Sequence, residues 1–265
     1  MPVLSTWDLT GRVVLLTGAG SAGGIAFAAA EAMATAGAKV AISDLPTTPI
    51  DDLVTRLPGG GHSAYAADLT DPEDAIGLVR STIGRHGRLD ALVHAAGILI
   101  PQPFLEIDPL SWARTIEVNT SATFFIAQAA ARHMALNGGG RIILISSNVG
   151  RIPRLNNASY ATSKAAVIHL ARCMAMELGK HNITVNALCP GSTATSMLLD
   201  NQTGGDSSRL EGVIKGNIAE WRTGIPLGRI SEPAEQAAAC VFLASDGGRY
   251  VSGQMICVDG AQTYF

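Results

Sequence analysis

Tyr160 and Lys164 stand at i and i+4 near the start of a helical stretch, so both project from one face. A free tyrosine, with a pKa of about 10, is a poor base at neutral pH. An ammonium beside it favours the phenolate. The pair is a candidate proton-transfer unit for an alcohol or a ketone, although many surface helices carry the same spacing by chance. Ser147 closes an apolar strand upstream, and its hydroxyl could hold a substrate oxygen beside the phenol. Asn119 lies in Glu117-Val118-Asn119-Thr120, inside a long helical stretch. A buried asparagine there needs partners. It could carry a water chain from Lys164, or it could satisfy a kinked backbone.

A second group of residues suits a dinucleotide. The apolar run Val13–Leu16 ends in Thr17-Gly18-Ala19-Gly20-Ser21-Ala22-Gly23-Gly24-Ile25, and a helix follows. Small residues let the backbone approach a pyrophosphate, and the helix N-terminus offers free N–H groups. Alone, such a turn is also a plain tight turn. Asp44 ends the second strand near the spacing at which a carboxylate holds ribose hydroxyls. It would repel a 2′-phosphate, and no Lys or Arg follows in Leu45-Pro46-Thr47, which favours NAD over NADP. Asp44 as a cap or turn residue is the plainer alternative. Asp68, in Ala67-Asp68-Leu69, either accepts from an adenine amino group or caps the helix that begins near Asp71-Pro72. Arg154 lies between Ser147 and Tyr160 and could clamp a substrate carboxylate bidentately. It could equally be a solvated arginine or a subunit salt bridge, and Arg151 competes for the role.

These residues need a frame, and the chain alternates strand and helix signals throughout. Further strands are expected at 39–43, 62–66, 91–94, 142–146, 184–188 and 255–258. Helices are expected near 51–57, 72–86, 109–136, 160–180 and 232–244. Near-continuous apolar strands separated by helices predict an α/β fold, a doubly wound parallel sheet covered on both faces. There is no repeat and no linker, so residues 1–265 read as one domain. Residues 196–226 break the pattern and are either disordered or an active-site lid. Met197, Leu198, Leu199 and Trp221 would give such a lid an apolar inner side.

Composition excludes other classes. The chain has 265 residues, 47% hydrophobic and 15% charged, with a net charge of −3. Soluble domains usually carry roughly 25% charged residues, so a homo-oligomer covering part of the surface is expected. No basic block points to nucleic acid. The apolar runs are too short to span a bilayer, and the first residues do not read as a secretory leader. Cys173, Cys189, Cys240 and Cys257 are scattered without metal spacing, as in a cytoplasmic protein with reduced thiols. The histidines form no metal site either.

Taken together, Thr17-Gly18, Asp44, Asp68, Ala95-Ala96-Gly97, Asn119, Ser146-Ser147, Tyr160-x-x-x-Lys164 and Pro190-Gly191 resemble the short-chain dehydrogenase/reductase family over essentially the whole length. The resemblance implies a Rossmann-like sheet, a nicotinamide cofactor, a small-molecule substrate and a homotetramer. It makes Tyr160 the general acid/base, with Ser147 orienting the substrate oxygen, Lys164 lowering the tyrosine pKa and Asn119 supporting the proton relay. It sets Gly18, Ser21, Gly24, Ile25, Asp44, Asp68, Leu69, Ala96, Gly97, Tyr160, Lys164, Pro190, Gly191, Thr193 and Thr195 against the cofactor. Ser147, Arg154 and Tyr160 would meet the substrate.

Two departures stand out. Ala22 replaces the middle glycine of the usual loop, whose length is closer to the enoyl-reductase branch; Ser21 and Ile25 are the candidate phosphate contacts. His94 stands where asparagine is usual and reads as a packed core histidine. Stretches such as Leu89–Val93, Pro153-Arg154 and Gly224–Ile230 resemble the branch acting on carboxylated cyclic dihydrodiols, although Asn156-Asn157 departs from it. The expected reaction is hydride transfer between a secondary alcohol and NAD. The alternatives are a carbonyl or 3-oxoacyl reductase and, further off, a non-catalytic nucleotide sensor. Enoyl reductases space their Tyr and Lys more widely and lack this serine.

Overall fold

The structure, a computed structural model, describes residues 7–200 and 206–263. Seven strands form one parallel sheet in the order β3-β2-β1-β4-β5-β6-β9. They are β1 (Val13–Thr17), β2 (Lys39–Asp44), β3 (Ser63–Ala66), β4 (Ala91–His94), β5 (Gly140–Ile145), β6 (Ile183–Pro190) and β9 (Met255–Val258). The short pair β7 (Gly216–Asn217) and β8 (Arg222–Thr223) forms a separate antiparallel hairpin.

The apolar strands bury both faces. Val14 and Leu16 point into one core with α1 (Ile25–Thr35) and α9 (Pro233–Ala244). Leu15 points into the other, with α3 (Pro72–His86), α5 (Ala122–Leu136) and α6 (Ala158–Leu178). Two-sided burial explains why these strands read as continuous apolar runs rather than alternating ones. The remaining helices are α2 (Asp51–Thr55), α4 (Pro109–Ile116), α7 (Ser196–Leu199) and α8 (Ser207–Lys215). No helix among the described residues is long and apolar enough to cross a membrane.

One expectation changes. The single helix expected over 109–136 is divided by a π-helical turn at Glu117–Ser121, between α4 and α5. Such turns insert an extra residue and occur often at functional sites. The irregular stretch 196–226 contains α7, α8 and the hairpin; its residues 201–205 lie outside the described residues.

Strand order reverses at β1, which pairs with β2 on one side and β4 on the other. In open parallel sheets a crevice forms at the carboxyl ends of the strands beside such a reversal. The residues singled out by chemistry leave the sheet at these ends: Gly18 after β1, Asp44 at the end of β2, Ala95-Ala96-Gly97 after β4, and Ser146-Ser147 after β5.

Candidate active site

A cleft of about 920 Å³ runs across the carboxyl ends of the strands. One end is built by the turn from β1 into α1. Gly18 has a φ of +75°, and a Cβ there would stand 2.5 Å from Ala96 N. The β1 and β4 exits can therefore meet only at a glycine. Gly24 precedes α1, and no side chain caps the helix, so its N-terminal N–H groups are available to an anion. Gly18, Ser21, Gly24 and Ile25 all line the cleft, as do Asp44, Asp68, Leu69, Ala96 and Gly97. Gly18→Ala is expected to lower stability by about 1–2 kcal/mol from backbone conformation alone, with the clash added, and to weaken dinucleotide binding. Thermal unfolding and calorimetry check this; unchanged midpoint and affinity would contradict it.

Both carboxylates are positioned by their own turns. Asp44 Oδ2 accepts from Gly20 N at 2.7 Å, and Oδ1 from Leu45 N at 2.8 Å and Thr48 Oγ1 at 3.3 Å. This fastens β2 to the glycine loop and holds a negative charge at the cleft wall. Asp68 Oδ1 accepts from Thr70 N at 3.0 Å and Thr70 Oγ1 at 2.7 Å. These bonds hold its carboxyl below the usual range. The cap of α3 is Asp71, which accepts from Glu73 N at 2.9 Å, so Asp68 is not that cap and faces the cleft.

At the other end lie Ser147, Tyr160, Lys164, Pro190, Gly191, Thr193 and Thr195. Tyr160 sits in the first turn of α6, with Lys164 one turn on. Lys164 Nζ donates to Ile145 O at 3.0 Å and lies 5.7 Å from the Tyr160 ring centroid. Ser146 Oγ donates to Lys164 O at 2.8 Å, which ties the β5 exit to α6. Ser147 is extended and begins a tight turn over Asn148–Gly150. Burial pushes the Tyr160 phenol up to about 12, and a hydrogen bond from Ser147 opposes the rise. Burial pushes the Lys164 ammonium down to about 8. Both shifts share one cause: taking a charge out of water disfavours the ionised form of each group.

Asn119 lies behind this end and does not line the cleft. It is fully buried in the π-helical turn. Its Oδ1 accepts from Ile98 N at 2.8 Å, and its Nδ2 donates to Ile98 O at 2.9 Å and Ser163 Oγ at 3.0 Å. A Cβ on Gly97 would stand 3.1 Å from Asn119 Oδ1 and 3.3 Å from Lys164 Nζ. The asparagine therefore joins the loop after β4 to α6 beside the lysine. Asn119→Ala leaves those backbone groups without their partner, at about 1–3 kcal/mol for an unsatisfied buried group. Urea unfolding is expected to show a loss of that size, and an unchanged midpoint would contradict the tie. His94 is the packed histidine expected: its Nδ1 and Thr17 Oγ1 lie 2.7 Å apart, and burial, with Lys164 adding to it, pushes its pKa to about 3.

Arg154 lines the cleft and Arg151 does not. Met197 and Leu198 line it; Leu199 and Trp221 are not among its lining residues, and Trp221 is 83% exposed at a φ of +50°. The apolar inner side is therefore smaller than expected, because the hairpin turn carries Trp221 outward. Arg222, Gln262 and Asn148 also line the cleft and were not anticipated. Asn148 Nδ2 donates to Gln262 Oε1 at 2.9 Å. A two-residue strand such as β8 has no periodicity, so nothing local marked Arg222.

A parallel sheet with its cleft at the strand-order reversal defines a Rossmann-like α/β protein. Residues 18–263 match the family model described as enoyl-(acyl carrier protein) reductase. The chain is 33% identical over 258 residues to 2,3-dihydro-2,3-dihydroxybenzoate dehydrogenase of Bacillus subtilis (strain 168), covering 96% of this chain and 97% of that one. Among solved structures, it is similar to a 7α-hydroxysteroid dehydrogenase complexed with NADH and 7-oxo glycochenodeoxycholic acid. The TM-score is 0.88 at 33% identity, with 98% of each chain covered. It is also similar to a gluconate 5-dehydrogenase from Burkholderia cenocepacia J2315 in complex with NADP and tartrate. There the TM-score is 0.89 at 31% identity, again over 98% of each chain. The chain belongs to the short-chain dehydrogenase/reductase family. It is an oxidoreductase of that family's dehydrogenase type.

Proposed function

We propose that this enzyme transfers hydride between a ring-borne secondary alcohol and NAD. The observation that carries the reading is the pairing of the two cleft ends: Asp44 at one, and Ser147, Tyr160 and Lys164 at the other. The cleft residues fit a dinucleotide. Gly18 leaves room where a Cβ would collide, α1 begins without a side-chain cap, and Asp44 presents acceptors for ribose hydroxyls. Ser21, Gly24 and Ile25 would take the phosphates, Asp68 and Leu69 the adenine, and Ala96 and Gly97 the middle of the molecule. Pro190, Gly191, Thr193 and Thr195 would take the far end with Lys164. The bound nicotinamide supplies the hydride acceptor or donor.

The protein's part is position and proton transfer. Ser147 donates to or accepts from the substrate oxygen and fixes it beside the Tyr160 hydroxyl. In oxidation Tyr160 takes the hydroxyl proton; in reduction it returns one. Lys164 holds positive charge beside the phenol, and Asn119 supports the relay by fixing Ile98 and Ser163 around the lysine. Arg154 would bind an anionic group of the substrate. The relative from Bacillus subtilis acts, by its name, on a carboxylated dihydrodiol, which supports a substrate of that kind.

The carbonyl-reductase reading with NADP is the weaker one, because Asp44 opposes a 2′-phosphate. Enoyl reduction, which the family description names, sits poorly with the Tyr160–Lys164 spacing and with Ser147. We further place the enzyme in the cytoplasm, a reading supported by its free cysteines, and as a homotetramer. Exposed Leu110, Trp112 and Phe124 on neighbouring helices support self-association.

The test is steady-state turnover of cyclohexanol and 4-hydroxycyclohexanecarboxylate with NAD and with NADP. Reduction of NAD, fastest with the carboxylated alcohol, is the expected result. No turnover of any alcohol, or a preference for NADP, would refute the reading.

A further inference from the structure

Two guanidinium groups face the substrate end of the cleft. Arg154 comes from the loop between β5 and α6, and Arg222 from β8 of the hairpin; both line the cleft with Ser147 and Tyr160. Neither forms an ion pair among the described residues. Arg154 Nη1 donates to Pro153 O at 3.5 Å, the outer limit of a hydrogen bond, and its Nη2 is buried without a partner. Arg222 Nη2 donates to Ser192 Oγ at 3.2 Å, and its Nε is buried without a partner.

The charge of Arg222 also acts on Arg154. Burial, and then the charge of Arg222, push Arg154 down to about 10, with Asp259 opposing. Burial lowers Arg222 as well, with Glu220 opposing. A half-buried cation without an ion pair is costly, and these two line one cleft. An anion set between them would relieve the repulsion and fill the unmet donors together. The guanidinium fork matches the two oxygens of a carboxylate.

We infer that Arg154 and Arg222 form one carboxylate clamp, so that the enzyme takes cyclic carboxylates whose anionic group faces the β7–β8 hairpin. This rests on the proposed reading of the cleft's far end as the substrate site, and it adds Arg222 as a specificity-determining residue. One arginine alone would hold a carboxylate by a single face. Two arginines from separate segments fix its direction, and with it which ring carbon lies beside Tyr160.

The probes are benzoate and its neutral counterpart benzamide, titrated calorimetrically into the wild type, R154Q, R222Q, R222K and the double glutamine variant, with and without NAD. The wild type is expected to prefer benzoate by about tenfold or more. Each glutamine variant should lose most of that preference, and the double variant little more, because the pair acts as a unit. R222K, which keeps charge without the fork, should fall between, and thermal unfolding reports whether each variant is folded. Equal binding of benzoate and benzamide by the wild type would overturn the clamp. So would a benzoate preference that survives R222Q. Weakened NAD binding in R222Q with benzoate unaffected would overturn it too, assigning Arg222 to the dinucleotide's phosphates. Failure of the dehydrogenase reading would register elsewhere, as absent nicotinamide reduction with any ring alcohol, while the benzoate titrations would still decide the clamp.

Discussion

Tyr160→Phe is expected to lower kcat by about 10²–10⁴-fold, the usual contribution of a positioned general acid/base, with dinucleotide affinity nearly unchanged. Phenylalanine keeps the ring that packs at the start of α6, where Tyr160 is buried, and removes only the hydroxyl. The loss should therefore fall on turnover and not on folding. The direction of the pKa shift adds a second expectation. Burial pushes the phenol up to about 12, so the protonated form dominates at neutral pH. Oxidation needs the phenolate, and its rate should climb as pH rises toward that value. Reduction needs the phenol and should hold at neutral pH and fall only as the phenol ionises. A positively charged neighbour moves the profile down; Lys164 itself loses charge as pH passes about 8. Stopped-flow and steady-state rates across pH test both expectations. Normal turnover by Tyr160→Phe would remove the residue from the chemistry.

Asp44→Asn should shift the NAD-over-NADP preference by about 10²-fold. A 2′-phosphate beside the Asp44 carboxylate is a like-charge contact, which costs several kcal/mol, and about 1.4 kcal/mol is a factor of ten. Asparagine is the milder change, because its one amide oxygen keeps part of the set of bonds that Asp44 accepts from Gly20 N, Leu45 N and Thr48 Oγ1. Alanine would loosen the glycine loop and confuse selectivity with structure. The ratio of kcat/KM values for the two cofactors is the readout. An unchanged ratio would take Asp44 out of the ribose site.

The sheet and much of the cleft were legible in the sequence for a physical reason. A strand buried on both faces is apolar along its length, and the glycine after Val13–Thr17 and the carboxylate closing Lys39–Asp44 mark where these two strands end. Helical geometry puts Tyr160 and Lys164 on one face, but the spacing is common, and it was Ser147, Asn119 and the family resemblance that singled the pair out. What lay hidden depends on tertiary contacts. The π-helical turn at Asn119 has helical composition on both sides, and only its bonds to Ile98 and Ser163 set it apart. Asp68 and Asp71 are too close in sequence to tell which one caps α3. Arg222 reaches the cleft through a hairpin of two-residue strands, too short for any pattern. The burial that raises the Tyr160 phenol is a property of the packed site, which no local pattern carries.

A crystal structure of the protein with NAD would decide directly where the dinucleotide lies. The dinucleotide is expected in the cleft across the β1 and β4 ends. Its adenosine ribose hydroxyls should lie on Asp44 and its nicotinamide end beside Tyr160 and Lys164. A nucleotide bound elsewhere, or bound with its ribose away from Asp44 and its nicotinamide far from Tyr160, would contradict the proposed function.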